Sequence, residues 1–177
     1  MAQILAFAGS NSSKSINYEL VKYTASLIKD HEVQLLNMVN FPFPMFSEDY
    51  ERENGYSNSL VELKEDLMKA DGVIISVNEH NSGPSAYFKN LTDWLSRVER
   101  KFLEDTPVFL MATSNGKRGG MGALEITQNV LPRFGAEVVA SFSLPSFGET
   151  FNKGEGIVSA DLAKAHREAL NQFLGKL

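Results

Sequence analysis

Residues 4–17 read Ile-Leu-Ala-Phe-Ala-Gly-Ser-Asn-Ser-Ser-Lys-Ser-Ile-Asn. The first five are apolar and predict a buried strand, and a helical pattern begins near Asn17, so the polar residues between them form a strand-to-helix turn. Such a turn directs backbone N–H groups and the positive end of the helix toward one point beyond the sheet. Five side chains of the turn can add neutral hydrogen bonds: Ser10, Asn11, Ser12, Ser15 and Asn17. The stretch predicts a binding site for a terminal monophosphate, with at most one cation, Lys14.

Spacing excludes two common phosphate-binding motifs for this turn. A Walker-type loop needs a second Gly five positions after the first and then Lys, but position 14 is already Lys and position 15 is Ser. The dinucleotide fingerprint also fails, because Gly9 has no Gly at position 11 or 14. An ordinary capped turn without a ligand stays open, since Ser and Asn favour helix N-caps in any case.

Composition limits the possible functions. The 177 residues are 43% hydrophobic, which suffices for one buried core and predicts a single domain over 1–177. Lys and Arg number 17 against 22 Asp and Glu, for a net charge of −5, and no basic cluster occurs, so a nucleic-acid partner is not expected. The chain has no Cys, which excludes disulfides, thiolate nucleophiles and iron–sulfur clusters. Redox chemistry would therefore need a bound cofactor.

Two further features concern the expected location. No run of about 18 apolar residues occurs, so no membrane span is expected. The N-terminus lacks the basic region and cleavage site of a secretory signal. A cytoplasmic location is the resulting expectation.

Strands and helices alternate along the chain. Apolar runs predict strands at 3–8, 33–39, 72–77, 107–112 and 137–144, and four of these runs are nearly continuous, as in strands covered on both faces. Helical patterns cover about 17–29, 58–69, 84–102, 120–134 and 160–176. Pro84 is expected in the first turn of the third helix, and Pro132 is expected to close or kink the fourth. The alternation predicts an α/β fold with one doubly wound parallel sheet.

Ligands of such sheets bind at the carboxyl ends of the strands. The third strand is followed by Asn-Glu-His-Asn-Ser-Gly-Pro at 78–84, and the fourth by Thr-Ser-Asn-Gly-Lys-Arg-Gly-Gly at 113–120. With the strand order 2-1-3-4-5, both loops would lie beside the turn at 9–17. The three loops are therefore expected to converge on one site.

These three loops resemble those of the NAD(P)H-dependent FMN reductases of flavodoxin-like fold, a family that includes quinone, chromate and azo-compound reductases. The family pattern G-S-x-R-x-x-S-x-N is similar to residues 9–17, and P-E-Y-N-x-S/G to residues 78–83. The helix pattern L-K-N-x-x-D-W corresponds to Phe-Lys-Asn-Leu-Thr-Asp-Trp at 88–94, and a Ser/Gly-rich third turn to residues 114–120. The resemblance covers about residues 3–140.

The resemblance implies a three-layer sandwich with a five-stranded parallel sheet of order 2-1-3-4-5 and helices on both faces. It implies FMN as cofactor, NAD(P)H as co-substrate, a small-molecule electron acceptor, and a homodimer or homotetramer. No catalytic acid or base and no metal are expected. The implied cofactor-binding residues are Ser10, Ser12, Ser15, Ile16, Asn17, Asn78, Glu79, His80, Asn81, Ser82, Ser114, Asn115, Gly116 and Gly119.

The chain departs from the family pattern at three positions. Ser12 replaces the usual Arg, although Lys14 could restore a charged contact to the phosphate. Asn78 replaces Pro and His80 replaces Tyr in the loop that would contact the flavin ring. Histidine can stack on a ring but, unlike tyrosine, it titrates near neutral pH. His80 would lie beside the ring or, in the alternative interpretation, cap the third helix.

Several alternatives stay open. A flavodoxin-type electron carrier and a flavin-free phosphate-binding regulatory domain would share the fold, and the acceptor and the nicotinamide preference are undetermined. The aromatic stretch at 41–50 is either a flap over the core or part of a nicotinamide or dimer surface. Asp93 and Trp94 are expected to brace the loop that contains Glu79 and Asn81. His166 is expected on a solvated helix face.

Overall fold

The structure is a computed structural model that describes residues 1–177. Its strands are β1 (Gln3–Ala8), β2 (Glu32–Leu36), β3 (Gly72–Val77), β4 (Glu79–His80), β5 (Gly83–Pro84), β6 (Pro107–Thr113), β7 (Glu137–Leu144), β8 (Phe151–Asn152) and β9 (Gly156–Ile157). Five of them form a parallel sheet of order β2-β1-β3-β6-β7, and the other four form two short hairpins. The predicted order 2-1-3-4-5 is confirmed.

Seven α-helices surround this sheet. They are α1 (Ile16–Ser26), α2 (Glu48–Asn54), α3 (Asn58–Lys69), α4 (Ala86–Val98), α5 (Met121–Val130), α6 (Phe147–Thr150) and α7 (Ala160–Leu174). None of them is both long and apolar enough to cross a membrane.

The sheet separates two apolar cores because successive side chains of a strand point to opposite faces. In β1, Leu5 and Phe7 join a cluster with residues of α3, α4 and α5, whereas Ile4, Ala6 and Ala8 join a second cluster with residues of α1 and α7. All six residues of β3 are buried, which explains its continuous apolar sequence. The predicted three-layer sandwich is confirmed.

The helix after the second loop is shorter than expected at both ends. The prediction that Pro84 lies in its first turn is wrong, because Pro84 pairs with Glu79 in the β4–β5 hairpin. Ser85 is the N-cap instead, and its side chain accepts a hydrogen bond from Phe88 N. The helix ends at Val98 rather than 102, since the chain is extended at the following residue. Phe102 is nevertheless buried, so its apolar signal came from a turn that folds back onto the core.

Other elements also differ from the expectation. The second strand ends at Leu36 rather than 39, because Asn37 caps a short 3₁₀ turn over Met38–Asn40. Helix α2 was not predicted, since it buries no residue and has no apolar stripe. Its signals are the N-cap Ser47 and acidic residues in the first turn. The fourth predicted helix passes into a 3₁₀ turn that contains Pro132, as expected.

Candidate functional site

The three polar loops follow β1, β3 and β6, which are neighbours in the sheet. A buried side chain ties the ends of these strands together. Asn17 Oδ1 accepts hydrogen bonds from Ser76 Oγ at 2.7 Å and from Thr113 N at 3.1 Å, and Asn17 Nδ2 donates to Thr113 O at 3.1 Å. The convergence expected from the sequence therefore has a specific structural basis.

This arrangement corrects the expected role of Asn17. Its amide was expected to hydrogen-bond an anion, but the side chain is only 3% exposed and both of its ends are bound inside the protein. The backbone N–H of Asn17 is the group that can still reach a ligand. The residue stays a proposed part of the site through that N–H.

The first loop presents donors rather than acceptors. Ser10 Oγ accepts from Ser12 N at 3.3 Å, and Ser12 Oγ accepts from Lys14 N at 3.2 Å, which leaves both hydroxyl protons available for donation. Five backbone N–H groups have no acceptor within the protein: those of Ser10, Asn11, Ser13, Ile16 and Asn17. A concave group of such donors at a helix N-terminus is suited to an anion.

The N-termini of two helices fix this loop. Ser15 is the N-cap of α1, and its side chain accepts from Tyr18 N at 3.1 Å. Ser85, the N-cap of α4, donates its hydroxyl proton to Gly9 O at 3.0 Å. Ser85 was not identified from the sequence, although a Ser directly before an apolar helical pattern is a recognisable N-cap signal.

The second loop is a strained hairpin braced by α5. Asn81 and Ser82 have φ values of 51° and 63°, in the left-handed region that non-glycine residues rarely adopt. Glu79 Oε2 accepts from Ala123 N at 3.0 Å, in the first turn of α5. A Cβ at Gly122 would lie 2.6 Å from Ser82 O, so the close approach of α5 requires glycine there. Gly122 was also not identified from the sequence.

His80 is exposed on this hairpin and does not cap α4, since Ser85 does. The interpretation of His80 as a helix cap is therefore wrong.

The third loop is held against the end of β7. Gly119 has a φ of 59°, and a Cβ there would clash with Ser143 Oγ and lie 2.9 Å from Leu144 C. Gly116 O accepts from Ser146 N at 3.0 Å, and Ser114 O accepts from Phe147 N at 3.0 Å. Asn115 and Gly116 are exposed. These residues border the same edge of the sheet but do not line the cavity described next.

A cavity of about 600 Å³ lies between the first two loops and α4. Its polar wall contains Ser10, Asn11 and Ser12 of the first loop and Asn78, His80 and Asn81 of the second. The buried Asn78 Oδ1 has no hydrogen-bond partner in the protein. A polar cavity of this size is suited to a small ligand.

The opposite wall of this cavity comes from residues 38–47, here called the strap. Side chains of α4 hold the strap by its backbone. Asn90 Oδ1 accepts from Phe46 N at 2.7 Å, and Asn90 Nδ2 and Trp94 Nε1 both donate to Pro44 O, at 2.9 and 2.7 Å. Tyr87 Oη donates to Phe41 O at 2.9 Å.

These contacts support one of the two interpretations of the aromatic stretch. Phe41, Phe43 and Phe46 pack against the apolar core, as in a flap over the core, and a role in a nicotinamide or dimer surface stays a prediction. Trp94 was expected to brace the loop that contains Glu79, which is wrong, because Trp94 hydrogen-bonds the strap instead. Asp93 pairs with Lys89 at the surface.

The prediction for His166 is also wrong. His166 is 1% exposed, and its Nε2 lies 2.9 Å from Thr24 Oγ1 in the core between α7 and α1. Burial, with a smaller contribution from Arg167, lowers the pKa of His166 to about 4. The chain has no group of three or more His, Asp or Glu side chains placed to hold a metal ion.

The fold and the site together define a class. A parallel sheet of order β2-β1-β3-β6-β7 with unpaired N–H donors in the first loop and polar loops after β3 and β6 is typical of flavodoxin-like α/β proteins. Within that class, the model of the NADPH-dependent FMN reductase family matches residues 2–149 of this chain. The chain belongs to this family, which confirms the resemblance of its three loops.

Individual relatives agree with this assignment. A quinone reductase of Escherichia coli K12 is 29% identical over 121 residues, which cover 63% of this chain and 64% of the relative. An NADH-dependent flavin reductase subunit 2 of Lactobacillus johnsonii is 24% identical over 133 residues, 73% of this chain and 69% of that one. The flavoenzyme NAD(P)H:(acceptor) oxidoreductase FerB of Paracoccus denitrificans has the same fold, with a TM-score of 0.80, 21% identity, and coverage of 99% of this chain and 96% of that one.

Proposed function

We propose that this protein is an FMN-dependent oxidoreductase that takes a hydride from NADH or NADPH and reduces a small acceptor. The observation that carries the proposal is the group of unpaired N–H donors in the first loop, next to a cavity of ligand size. Family membership and the relatives named quinone reductase and flavin reductase support it.

The first loop is proposed to bind the FMN phosphate. Its N–H groups and the hydroxyls of Ser10, Ser12 and Ser15 are neutral donors, so the phosphate charge would be stabilised by hydrogen bonds and the dipole of α1 rather than by an ion pair. Ser12 in place of the family's Arg fits this uncharged arrangement. The exposed Lys14 could add one charge.

The second and third loops are proposed to hold the flavin ring. The orientation of the Asn78–Ser82 backbone is fixed by the Glu79 contact to α5, and that of Ser114–Gly119 by its bonds to the end of β7. Bound FMN supplies the redox chemistry, and the protein contributes position and hydrogen bonds.

The overall reaction balances without a catalytic acid or base. NAD(P)H and one proton deliver two electrons and two hydrogens to the acceptor, for example a quinone that becomes a hydroquinone, and NAD(P)⁺ leaves. The proton can come from water, so no side chain is assigned to its transfer.

The proposed activity is tested by mixing the FMN-loaded protein anaerobically with NADH or NADPH and following the oxidised flavin absorbance in a stopped-flow instrument. The flavin should be bleached directly by at least one nicotinamide without another protein. No bleaching with either would overturn the proposal in favour of an electron carrier. Failure to bind FMN at all would favour a flavin-free regulatory domain.

Organisation and location form part of the same proposal. We propose a single domain over residues 1–177, a homodimer or homotetramer, and a cytoplasmic location, where a nicotinamide-dependent reductase finds its co-substrate. Sedimentation of the FMN-loaded protein would test the assembly, because a monomer at micromolar concentration contradicts it.

A further inference from the structure

The dipeptide Asn-Gly occurs twice in the chain, at 54–55 and at 115–116. Because glycine has no side chain to shield its backbone nitrogen, this nitrogen can attack the side-chain amide carbon of the preceding asparagine. The reaction requires a nitrogen that is free to lose its proton and a side chain that can turn toward it. The two Asn-Gly pairs differ in both respects.

The pair at 54–55 is held at the end of α2. Asn54 Nδ2 donates a hydrogen bond to Tyr50 O at 3.0 Å. The N–H of Gly55 donates to Glu51 O at 2.8 Å. Both the amide that would be attacked and the nitrogen that would attack are therefore held in hydrogen bonds, which must break before this pair can react.

The pair at 115–116 lies in the third loop and is free of such bonds. Asn115 and Gly116 are exposed, and the Asn115 side chain makes no hydrogen bond within the protein. The N–H of Gly116 points to Ser114 Oγ at 3.3 Å, which is a long and therefore weak hydrogen bond. Little holds this pair away from the reactive geometry.

We propose that Asn115 is a site of spontaneous deamidation. The deprotonated nitrogen of Gly116 attacks Asn115 Cγ, a C–N bond forms, and the side-chain nitrogen leaves as ammonia. Water then opens the resulting cyclic succinimide at either of its carbonyl carbons, which gives aspartate or isoaspartate. The reaction consumes one water for each ammonia released and involves no change of oxidation state.

Both products alter the third loop. Aspartate adds a negative charge, and isoaspartate adds a carbon atom to the main chain. That atom falls between two anchors, Ser114 O, which accepts from Phe147 N, and Gly116 O, which accepts from Ser146 N, both at 3.0 Å. The consequence for the ligand rests on the proposed function: if this loop holds the ring of the anionic FMN, deamidation lowers FMN affinity.

The first experiment measures the conversion without any ligand. The folded protein is incubated in mildly alkaline buffer, which favours loss of the proton from the attacking nitrogen, and peptides that contain either pair are quantified by mass spectrometry over time. Asn115 should convert about tenfold faster than Asn54 or more, because hydrogen bonds hold the pair at 54–55. Equal rates, or faster conversion of Asn54, would overturn the inference.

Two controls separate structure from sequence. In guanidinium chloride both pairs are unfolded and should convert at similar rates, whereas an undiminished difference would assign the preference to sequence and overturn the structural argument. Gly116→Ala should lose most of the conversion at Asn115, since a methyl group shields the nitrogen. The loop can accept this methyl group, because a Cβ at Gly116 would meet no atom closer than 3.6 Å. Unchanged conversion in this variant would contradict attack by the Gly116 nitrogen.

The effect on FMN is tested with the aspartate product. Asn115→Asp should weaken FMN binding about two- to tenfold in a fluorescence titration. Asn58→Asp is the matched control, since it adds the same charge at an exposed residue in the first turn of α3, outside the three loops. Equal weakening in both variants, or none in either, would overturn the consequence for FMN and leave the reductase, which flavin bleaching by NAD(P)H tests separately.

Discussion

The Asn17 side chain supports the candidate site through hydrogen bonds within the protein rather than through a contact to the ligand. Three hydrogen bonds connect its amide to Ser76 and Thr113 at the ends of β3 and β6. The first loop begins where β1 ends, directly beside them. The amide therefore sets the spacing of the three loops.

Asn17→Ala should lower the free energy of unfolding by about 2–5 kcal/mol, because three buried polar groups lose their partner. Thermal or urea unfolding measures the change. Asn11→Ala, at an exposed residue of the same loop whose side chain makes no hydrogen bond, is the control and should change stability by less than about 0.5 kcal/mol. A comparable loss in both variants would contradict the bracing role.

Ser12 differs from Asn17, because its side chain is exposed and, besides accepting from Lys14 N, is proposed to donate its hydroxyl proton to the ligand. Ser12→Ala removes one hydroxyl donor from the first loop and should weaken FMN binding by about 0.5–3 kcal/mol, the range for a hydrogen bond to a charged group. Riboflavin, which lacks the phosphate, should bind as before. Fluorescence titrations with both ligands test this, and equal weakening would show that Ser12 acts on loop conformation instead.

At the scale of elements, the contact between α5 and the second loop depends on the absence of a side chain at Gly122. Gly→Ala inside a helix normally stabilises by about 0.5–1 kcal/mol. Gly122→Ala should instead destabilise the protein by about 1–3 kcal/mol, because its Cβ would lie 2.6 Å from Ser82 O and 2.8 Å from Glu79 Oε2. FMN affinity should fall with it, since the hairpin must shift.

Gly83→Ala is the matched control for this substitution. Gly83 lies in the same hairpin, but a Cβ there would meet no atom closer than 4.0 Å. The stability and FMN affinity of the Gly83→Ala variant should stay close to those of the parent protein. Stabilisation by Gly122→Ala in the unfolding measurement would refute the tight contact.

Elements that bury an apolar face were predicted correctly from the sequence, because burial produces a regular spacing of apolar residues. The five central strands followed from apolar runs, their order followed from the family resemblance, and helix α3 was predicted over the residues that form it. Helix α2 was missed because it buries nothing, and the beginning of α4 was misplaced because Pro84 is equally suited to a hairpin.

The candidate site was less predictable, because its supports join residues far apart in the chain. Asn90 and Trp94 belong to a recognisable family pattern, but nothing local indicates that they hold Pro44 about fifty positions away. The hydrogen bond between Asn17 and Thr113 likewise joins residues that are far apart, 96 positions along the chain. His166 could have been assigned correctly, since it shares a helical stripe with Leu170 and Phe173.

At the scale of the whole molecule, His166 couples the two helices that cover one face of the sheet. Thr24 Oγ1, in α1, donates to Leu20 O at 2.8 Å, so it accepts the proton of His166 Nε2. Aromatic rings of Tyr23, Phe109 and Phe142 surround the imidazole. No partner is available for a second N–H on Nδ1, so the surroundings favour the neutral ring.

This environment predicts the direction of acid destabilisation. The pKa of His166 is about 4 in the folded protein, against about 6.5 for an unfolded histidine. The unfolded chain therefore binds the proton first as the pH falls. The stabilising contribution is complete above about pH 6.5 and is lost between there and pH 4, with a total near 3 kcal/mol.

His166→Gln removes the titration and can still donate to Thr24. The difference in unfolding free energy between the parent protein and this variant should therefore change by about 3 kcal/mol between pH 7.5 and pH 4, with the variant gaining as the pH falls. Urea unfolding at several pH values measures it, and the comparison cancels the carboxylates that also titrate there. If the unfolding free energies of the two proteins changed with pH in the same way, the folded protein would accept a proton on His166 as readily as the unfolded chain does. That result would contradict the buried neutral ring.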